Sequence, residues 1–219
     1  MLHEALKNPM TYILLALLLA GVYIHFTAYF VRPKVSVVKL SGGAFIYRDY
    51  AGKTRDLSQY FRQLEPDLND YYQDYNIKVK FPLAALYQHN LDVLSKPGLY
   101  RCSIGFFDRS ASPEAIKFFK KEGYKVFIVP GDTSCATCEF PYRFDLALMY
   151  VTVSMKCYSA LKAYFSNVLK SATDCKEQVC LELYYKEQQK VVCYVPLERG
   201  FLFQLNSLRL PDVSREKIL

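Results

Sequence analysis

The residues best suited to chemistry are the cysteines, seven of them at positions 102, 135, 138, 157, 175, 180 and 193. Cys135-x-x-Cys138 has the spacing of a redox pair or of half a zinc site. A redox pair needs a helix N-terminus to lower a thiol pKa, whereas Cys135–Tyr142 reads as extended chain. Residues three apart in a strand point to opposite faces, so this pair is poorly placed to share a metal. Cys175 and Cys180, across a loop, supply further ligands only if the fold brings them close. Free core thiols are the expectation, with no metal and no cofactor. His3 and His25 belong to the apolar N-terminal region, which leaves His89, at a strand end, for the rest of the chain. No Ser-His-Asp or Cys-His arrangement carries a local signature, and no catalytic residue is assigned.

What must position any such group begins with one apolar stretch. Thr11 to Val31 reads TYILLALLLAGVYIHFTAYFV, 21 residues without Asp, Glu, Lys or Arg. As a helix rising about 1.5 Å per residue it covers roughly 30 Å, the hydrocarbon thickness of a bilayer. Tyr12 and Tyr29 suit the two headgroup belts. The run is longer than a signal-peptide core and lacks a small-residue cleavage site, so a membrane helix is expected. Glu4 and Lys7 cancel before it, and Arg32, Lys34 and Lys39 follow with no acid until Asp49. Positive flanks stay in the cytosol, which places residues 1–10 in the lumen and the remainder in the cytosol. The odd cysteine count and the lack of an Asn-x-Ser/Thr acceptor agree with that side.

Residues 32–203 then make one domain, with 204–219 a short tail. Beyond Val31 the chain carries 27 Lys and Arg against 20 Asp and Glu, which accounts for the whole net charge of +7. The bases are interleaved with acids and no nucleic-acid motif occurs, so an anionic leaflet suits this excess better than nucleic acid.

Lys34–Leu40 alternates as a strand, Ser41-Gly42-Gly43 turns, and Ala44–Tyr50 is a second strand. Thr54 opens a helical pattern through Leu57, Phe61, Leu64, Leu68, Tyr72 and Tyr75, which Pro66 should kink near Glu65. Leu83–Gln88 and Leu99–Phe107 read as strands. Ser112-Pro113-Glu114 starts a helix that ends on Lys120, Lys121 and Gly123. Tyr124–Val129 reads as a strand, Cys135–Tyr142 as extended chain that Leu146–Val153 continues as strand, a helix follows from Ser154, and Gln178–Tyr185 and Val191–Val195 close the chain. The order is β-β-α-β-β, a short helix, then β-β-α-β-β. The expected fold is α+β: an N-terminal transmembrane helix, then two pseudo-twofold halves with curved antiparallel sheets, helices on one side and a cleft between them.

RCSIG (101–105), SPEAIKFFKKEGYKVF (112–127), FPY (140–142) and LELYYKEQQ with VPL (181–197) resemble the testis-expressed, endoplasmic-reticulum-anchored family. In that family a GyrI-like domain follows one N-terminal membrane helix. The likeness covers almost the whole chain and is most specific in the SPE…GYKVF block followed by FPY. It implies a cytosol-facing, non-enzymatic receptor or adaptor in selective autophagy of the endoplasmic reticulum, with Atg8-family proteins and an AAA unfoldase as partners. There, a short motif beyond the domain adds a strand to an Atg8-type protein, an aromatic and an aliphatic side chain entering two pockets. Residues 204–219 hold no aromatic, and an internal match is Phe61-Arg62-Gln63-Leu64, on a predicted helix.

The resemblance also implies an alternative function, a membrane-tethered module that binds a small molecule. GyrI-like domains take small, often cationic molecules between their halves, over a buried glutamate near the last strand. Their closing Glu-x-Tyr-x-Pro pattern falls here on Val192, Tyr194 and Pro196, so a cation in a dry cleft lacks its counter-charge. Glu182 in the preceding strand is the substitute, and Glu182, Tyr184 and Tyr194 are the implied cleft residues. Residue-type preference by itself makes a lone strand carboxylate such as Glu182 a structural or rim residue, since such groups usually face water.

Overall fold

One antiparallel sheet of eight strands carries the domain. A computed structural model describes residues 9–26, 31–53, 56–87, 99–141, 153–168 and 179–197 of the 219-residue chain. Helix α1 (Pro9–Phe26) precedes β1 (Val35–Leu40), β2 (Gly43–Lys53), α2 (Leu57–Arg62), α3 (Glu65–Asp74), β3 (Leu83–Tyr87) and β4 (Leu99–Asp108). Then come α4 (Pro113–Lys121), β5 (Lys125–Val129), β6 (Thr133–Pro141), a π-helical turn (Ser154–Tyr158), α5 (Ser159–Val168), β7 (Cys180–Tyr185) and β8 (Lys190–Pro196).

Across the sheet the order is β1-β6-β8-β7-β3-β4-β2-β5. Read outward from the seam between β3 and β7, the two sides correspond: β3-β4-β2-β5 and β7-β8-β6-β1. The expected pseudo-twofold is therefore present, with one difference. Each half lends its first strand to the other, β1 pairing with β6 and β5 with β2. The chain crosses between halves after β1 and after β5, at corresponding places. There the register slips by one residue, from Leu40 opposite Thr133 to Gly43 opposite Val129. A Cβ on Gly42 would lie 2.8 Å from the backbone nitrogen of Gly131, so the crossing demands glycine for close approach. The result is one curled sheet, where the sequence order suggests a sheet for each half.

Local signals set most element ends. The helical pattern breaks between α2 and α3, and Pro66 falls in the first turn of α3, where a missing N–H costs nothing. Ser112 caps α4, its Oγ accepting from the Ala115 N–H at 3.3 Å, and Gly123 ends it at φ 81°. Of the expected strand Leu146–Val153, residues 146–152 lie outside the described residues and Val153 is already helical. Thr54, Gln88 and Tyr142 also lie outside the described residues.

Strand alternation divides the interior into two clusters. The helices cover one face of the sheet, where Phe61, Leu64, Tyr71, Phe106, Phe119 and Phe165 are buried together. The opposite face holds a smaller cluster with Phe45, Tyr47, Leu86, Phe107 and Leu183. A polar clamp ties α3 to the sheet: Asp67 accepts from Arg48 at 3.2 Å and from Tyr124 Oη at 2.7 Å. The Arg48 guanidinium also lies 4.0 Å over the Tyr124 ring.

Helix α1 keeps to neither cluster. Ile13, Leu14, Leu17, Leu18 and Leu19 are all more than half exposed. The expected span Thr11–Val31 is seen as helix as far as Phe26, and residues 27–30 lie outside the described ones. Among the described residues no helix is long and apolar enough to cross a membrane.

Candidate functional site

The β7 sequence Cys-Leu-Glu-Leu-Tyr-Tyr alternates, and alternation sends Cys180 and Tyr184 to the helix-covered face and Leu181 and Leu183 to the other. Glu182, between Cys180 and Tyr184 in that parity, is 1% exposed because β7 is a central strand beneath the helices. Of the two expectations from residue type, a structural or a rim residue, placement in the sheet excludes the rim. Two phenols answer the carboxylate: Tyr158 donates to Oε1 and Tyr184 to Oε2. Tyr87 adds a further hydrogen bond. Burial lifts the Glu182 carboxyl to about 7, and the hydrogen bonds oppose that rise. Tyr158 arrives on the π-helical turn, where Cys157 and Tyr158 are both turned inward, 0% and 2% exposed. Tyr184 is braced edge-on by Phe61, with ring centroids 5.4 Å apart.

Sulfur surrounds this carboxylate. Cys138 stands opposite Cys193, and Cys193 opposite Glu182, in one row across β6, β8 and β7. Cys193 Sγ lies 4.0 Å from Glu182 Oε1. The Cys193 thiol is in hydrogen-bond contact with Cys157 and Cys180, and Cys157 is in contact with Cys138. Donation from Cys138 and Cys193 pulls the Cys157 thiol down to about 5 and pushes both donors up. Burial raises the Cys180 thiol.

Beyond Tyr184 the same region opens. A groove of about 810 Å³ is lined by Leu83 and Tyr184, register partners across the seam, and by Tyr71, Tyr72 and Phe81. The Tyr71 and Phe81 rings stack at 5.9 Å, and the Phe81 N–H donates to Tyr72 Oη at 2.8 Å. Two charged groups on the lining have partners: Lys186 pairs with Glu65, and Arg109 donates to Tyr185 Oη at 2.8 Å. The Asp108 carboxylate accepts from the Ser110 and Ser112 N–H groups at 2.9 and 2.8 Å, which holds the turn into α4. Helix α3 belongs to the first half and the β7–β8 turn to the second, so this is a cleft between halves. Its volume and aromatic walls suit a compact apolar ligand.

The implied cleft residues separate. Glu182 and Tyr184 come together, Tyr184 being shared with the groove. Tyr194 does not join them: it faces Leu181 and Thr137 and packs with the cluster on the opposite side of the sheet. Val192 faces Leu183, so the family pattern's carboxylate position also points away from Glu182. Phe61 and Leu64 are 0% and 1% exposed, in α2 and just after it. Adding them as a strand to a partner would require α2 to unwind and leave the core. Cys135 and Cys138 fall in opposite clusters, as strand alternation demands. His3, His89 and Cys175 lie outside the described residues. Sequence reasoning missed the convergence of Cys138, Cys157, Cys180 and Cys193, and also the groove wall of Tyr71, Tyr72 and Phe81. The helical spacing of Cys157 with Leu161 and Phe165 was one available signal, but it marks a core face without naming its neighbours.

No family model matches the chain. Human Testis-expressed protein 264 is similar, 29% identical over 132 residues, which cover 57% of this chain and 38% of that protein. The match thus spans well under half of the relative's length. Among solved structures, a hydrolase from Listeria innocua superposes with a TM-score of 0.42 at 12% identity, covering 77% of this chain and 94% of its own. A Staphylococcus aureus protein assigned to bacterial transcription regulation gives 0.40 at 10% identity, with 74% and 97% covered.

Proposed function

We propose that this chain is a non-enzymatic receptor or adaptor, anchored in the endoplasmic reticulum membrane through Thr11–Val31 with its domain in the cytosol. The groove beside Tyr184 is its binding site. The observation that carries this reading is the groove itself: about 810 Å³, aromatic-walled, with its Lys186 and Arg109 charges already partnered. Glu182 lies behind Tyr184 with both oxygens hydrogen-bonded, an arrangement that builds a wall rather than exchanging protons with a ligand. The anchor is supported by the uncharged stretch to Val31 and by the exposed apolar side chains of α1. The endoplasmic reticulum and the partners, Atg8-family proteins and an AAA unfoldase, rest on the family resemblance and the likeness to the human protein.

In cells the full chain should resist carbonate extraction from membranes, and its domain should be cut by protease added to intact microsomes. Release by carbonate would end the anchored reading. Val79, 78% exposed on the groove lining, allows the second test. Val79→Trp should fill the groove and reduce Atg8-family binding to the full chain at least tenfold; undiminished binding would move the partner site elsewhere. A second reading, a small-molecule module, is favoured by the groove volume alone. Naphthol should then raise the melting temperature of the wild-type chain and not of Val79→Trp.

A further inference from the structure

We propose that Cys157, Cys180, Cys193 and Glu182 hold a zinc(II) ion within the domain. Cys180 Sγ, a Glu182 carboxylate oxygen and Cys193 Sγ all lie within 4.8 Å of one another. Cys157 stands just outside that trio on the π-helical turn, buried and in hydrogen-bond contact with Cys193, and would move inward to complete the set. Tetrahedral zinc with bonds of about 2.3 Å to sulfur and about 2.0 Å to oxygen sets its ligand atoms roughly 3.5–3.8 Å apart. A contraction of about an ångström brings Cys180, Glu182 and Cys193 to that spacing. Two of the carriers, β7 and β8, are paired central strands with Glu182 opposite Cys193, so the backbone already holds half the tetrahedron.

The chemistry of the set selects the ion. Three thiolates with one carboxylate are soft enough to prefer zinc over magnesium or calcium, which take oxygen. With three phenol donors on two carboxylate oxygens, at least one oxygen lone pair stays open for a metal, and the phenols would orient the ligand as outer-shell groups do. Binding releases to solvent whatever protons the three thiols and the Glu182 carboxyl carry at that pH, and oxidises nothing. The doubly negative centre that results is offset by the phenol donors. The π-helical turn gains a reason as well, since wide turns of this kind concentrate at functional positions. Cys138, in contact with Cys157, stands one place outside the set, and Cys135 lies on the other face of the sheet.

The test uses the full chain, purified in detergent without a histidine tag and dialysed against a weak chelator. One zinc per chain by mass spectrometry is expected. Chelator-stripped protein reloaded with cobalt(II) should show thiolate-to-metal charge transfer and tetrahedral d–d bands. Cys193→Ala should lose both readouts while Cys135→Ala keeps them, and Tyr158→Phe should lower zinc affinity about 10–100-fold. Wild-type protein without stoichiometric zinc and without the cobalt bands would overturn the site, whether or not Cys193→Ala folds. Retention of the bands in folded Cys193→Ala would place the ion elsewhere and overturn it equally.

Discussion

The Glu182 pocket and the neighbouring groove share one side chain, Tyr184, and differ in almost everything else. The pocket is closed, polar and sulfur-rich, and each of its groups depends on the others for hydrogen bonds. The groove is open and aromatic, and Lys186 and Arg109 on its lining are partnered without a ligand. A dry polar cluster is costly unless every member is partnered, so the pocket is the structurally unforgiving region. The groove, where binding is proposed, carries fewer such dependences. A single ring thus divides the structural pocket from the proposed binding surface.

The most severe way to break that separation is Tyr184→Ala. It removes a Glu182 donor and a groove wall together, and should cost about 3–5 kcal/mol in chemical denaturation. A loss below about 1 kcal/mol would show that the two regions do not depend on the shared ring.

Glu182→Gln sharpens the contrast through pH. The folded carboxyl at about 7 stands above its ordinary 4.5, so its stabilising effect is complete below pH 4.5 and is lost as pH rises through 7. In chelator-treated protein, wild type should lose about 3 kcal/mol relative to the Gln variant between pH 4.5 and 8. Parallel stability curves for the two proteins would mean that Glu182 is not desolvated as described.

On the groove side the effects shrink. Val79→Trp, at a position 78% exposed, should change stability by no more than about 0.5 kcal/mol in urea titration while filling the groove. Lys186→Ala removes a half-exposed ion pair with Glu65 and should cost about 0.2–1 kcal/mol, less at high salt. A larger loss from either would make the groove part of the structural core.

Much of the organisation was legible in the chain. Ser112, Pro113 and Gly123 bracket α4 because caps act within a few residues, and Pro66 divides α2 from α3 for the same reason. The alternation of β6 separates Cys135 from Cys138 without any knowledge of neighbours. The duplicated element order predicts a pseudo-twofold, but not the exchange of β1 and β5, which depends on Gly42 and Gly131 passing at close range. Tyr194 lies away from Glu182 because the family's closing pattern falls on the face of β8 opposite to Cys193. Phe61 and Leu64 match a docking pattern in the chain and are core residues in the fold.

The chain by itself determined the elements and their amphipathic faces, because backbone preference, capping and periodicity act over a few residues. It also determined the uncharged N-terminal stretch and the placing of Cys135 and Cys138 on opposite faces of β6. Tertiary structure alone decided which faces meet. Glu182 stands among Cys157, Cys180 and Cys193 because three separate elements converge, with β7 and β8 in one particular register. That register is set by pairing between strands, and no local preference encodes it.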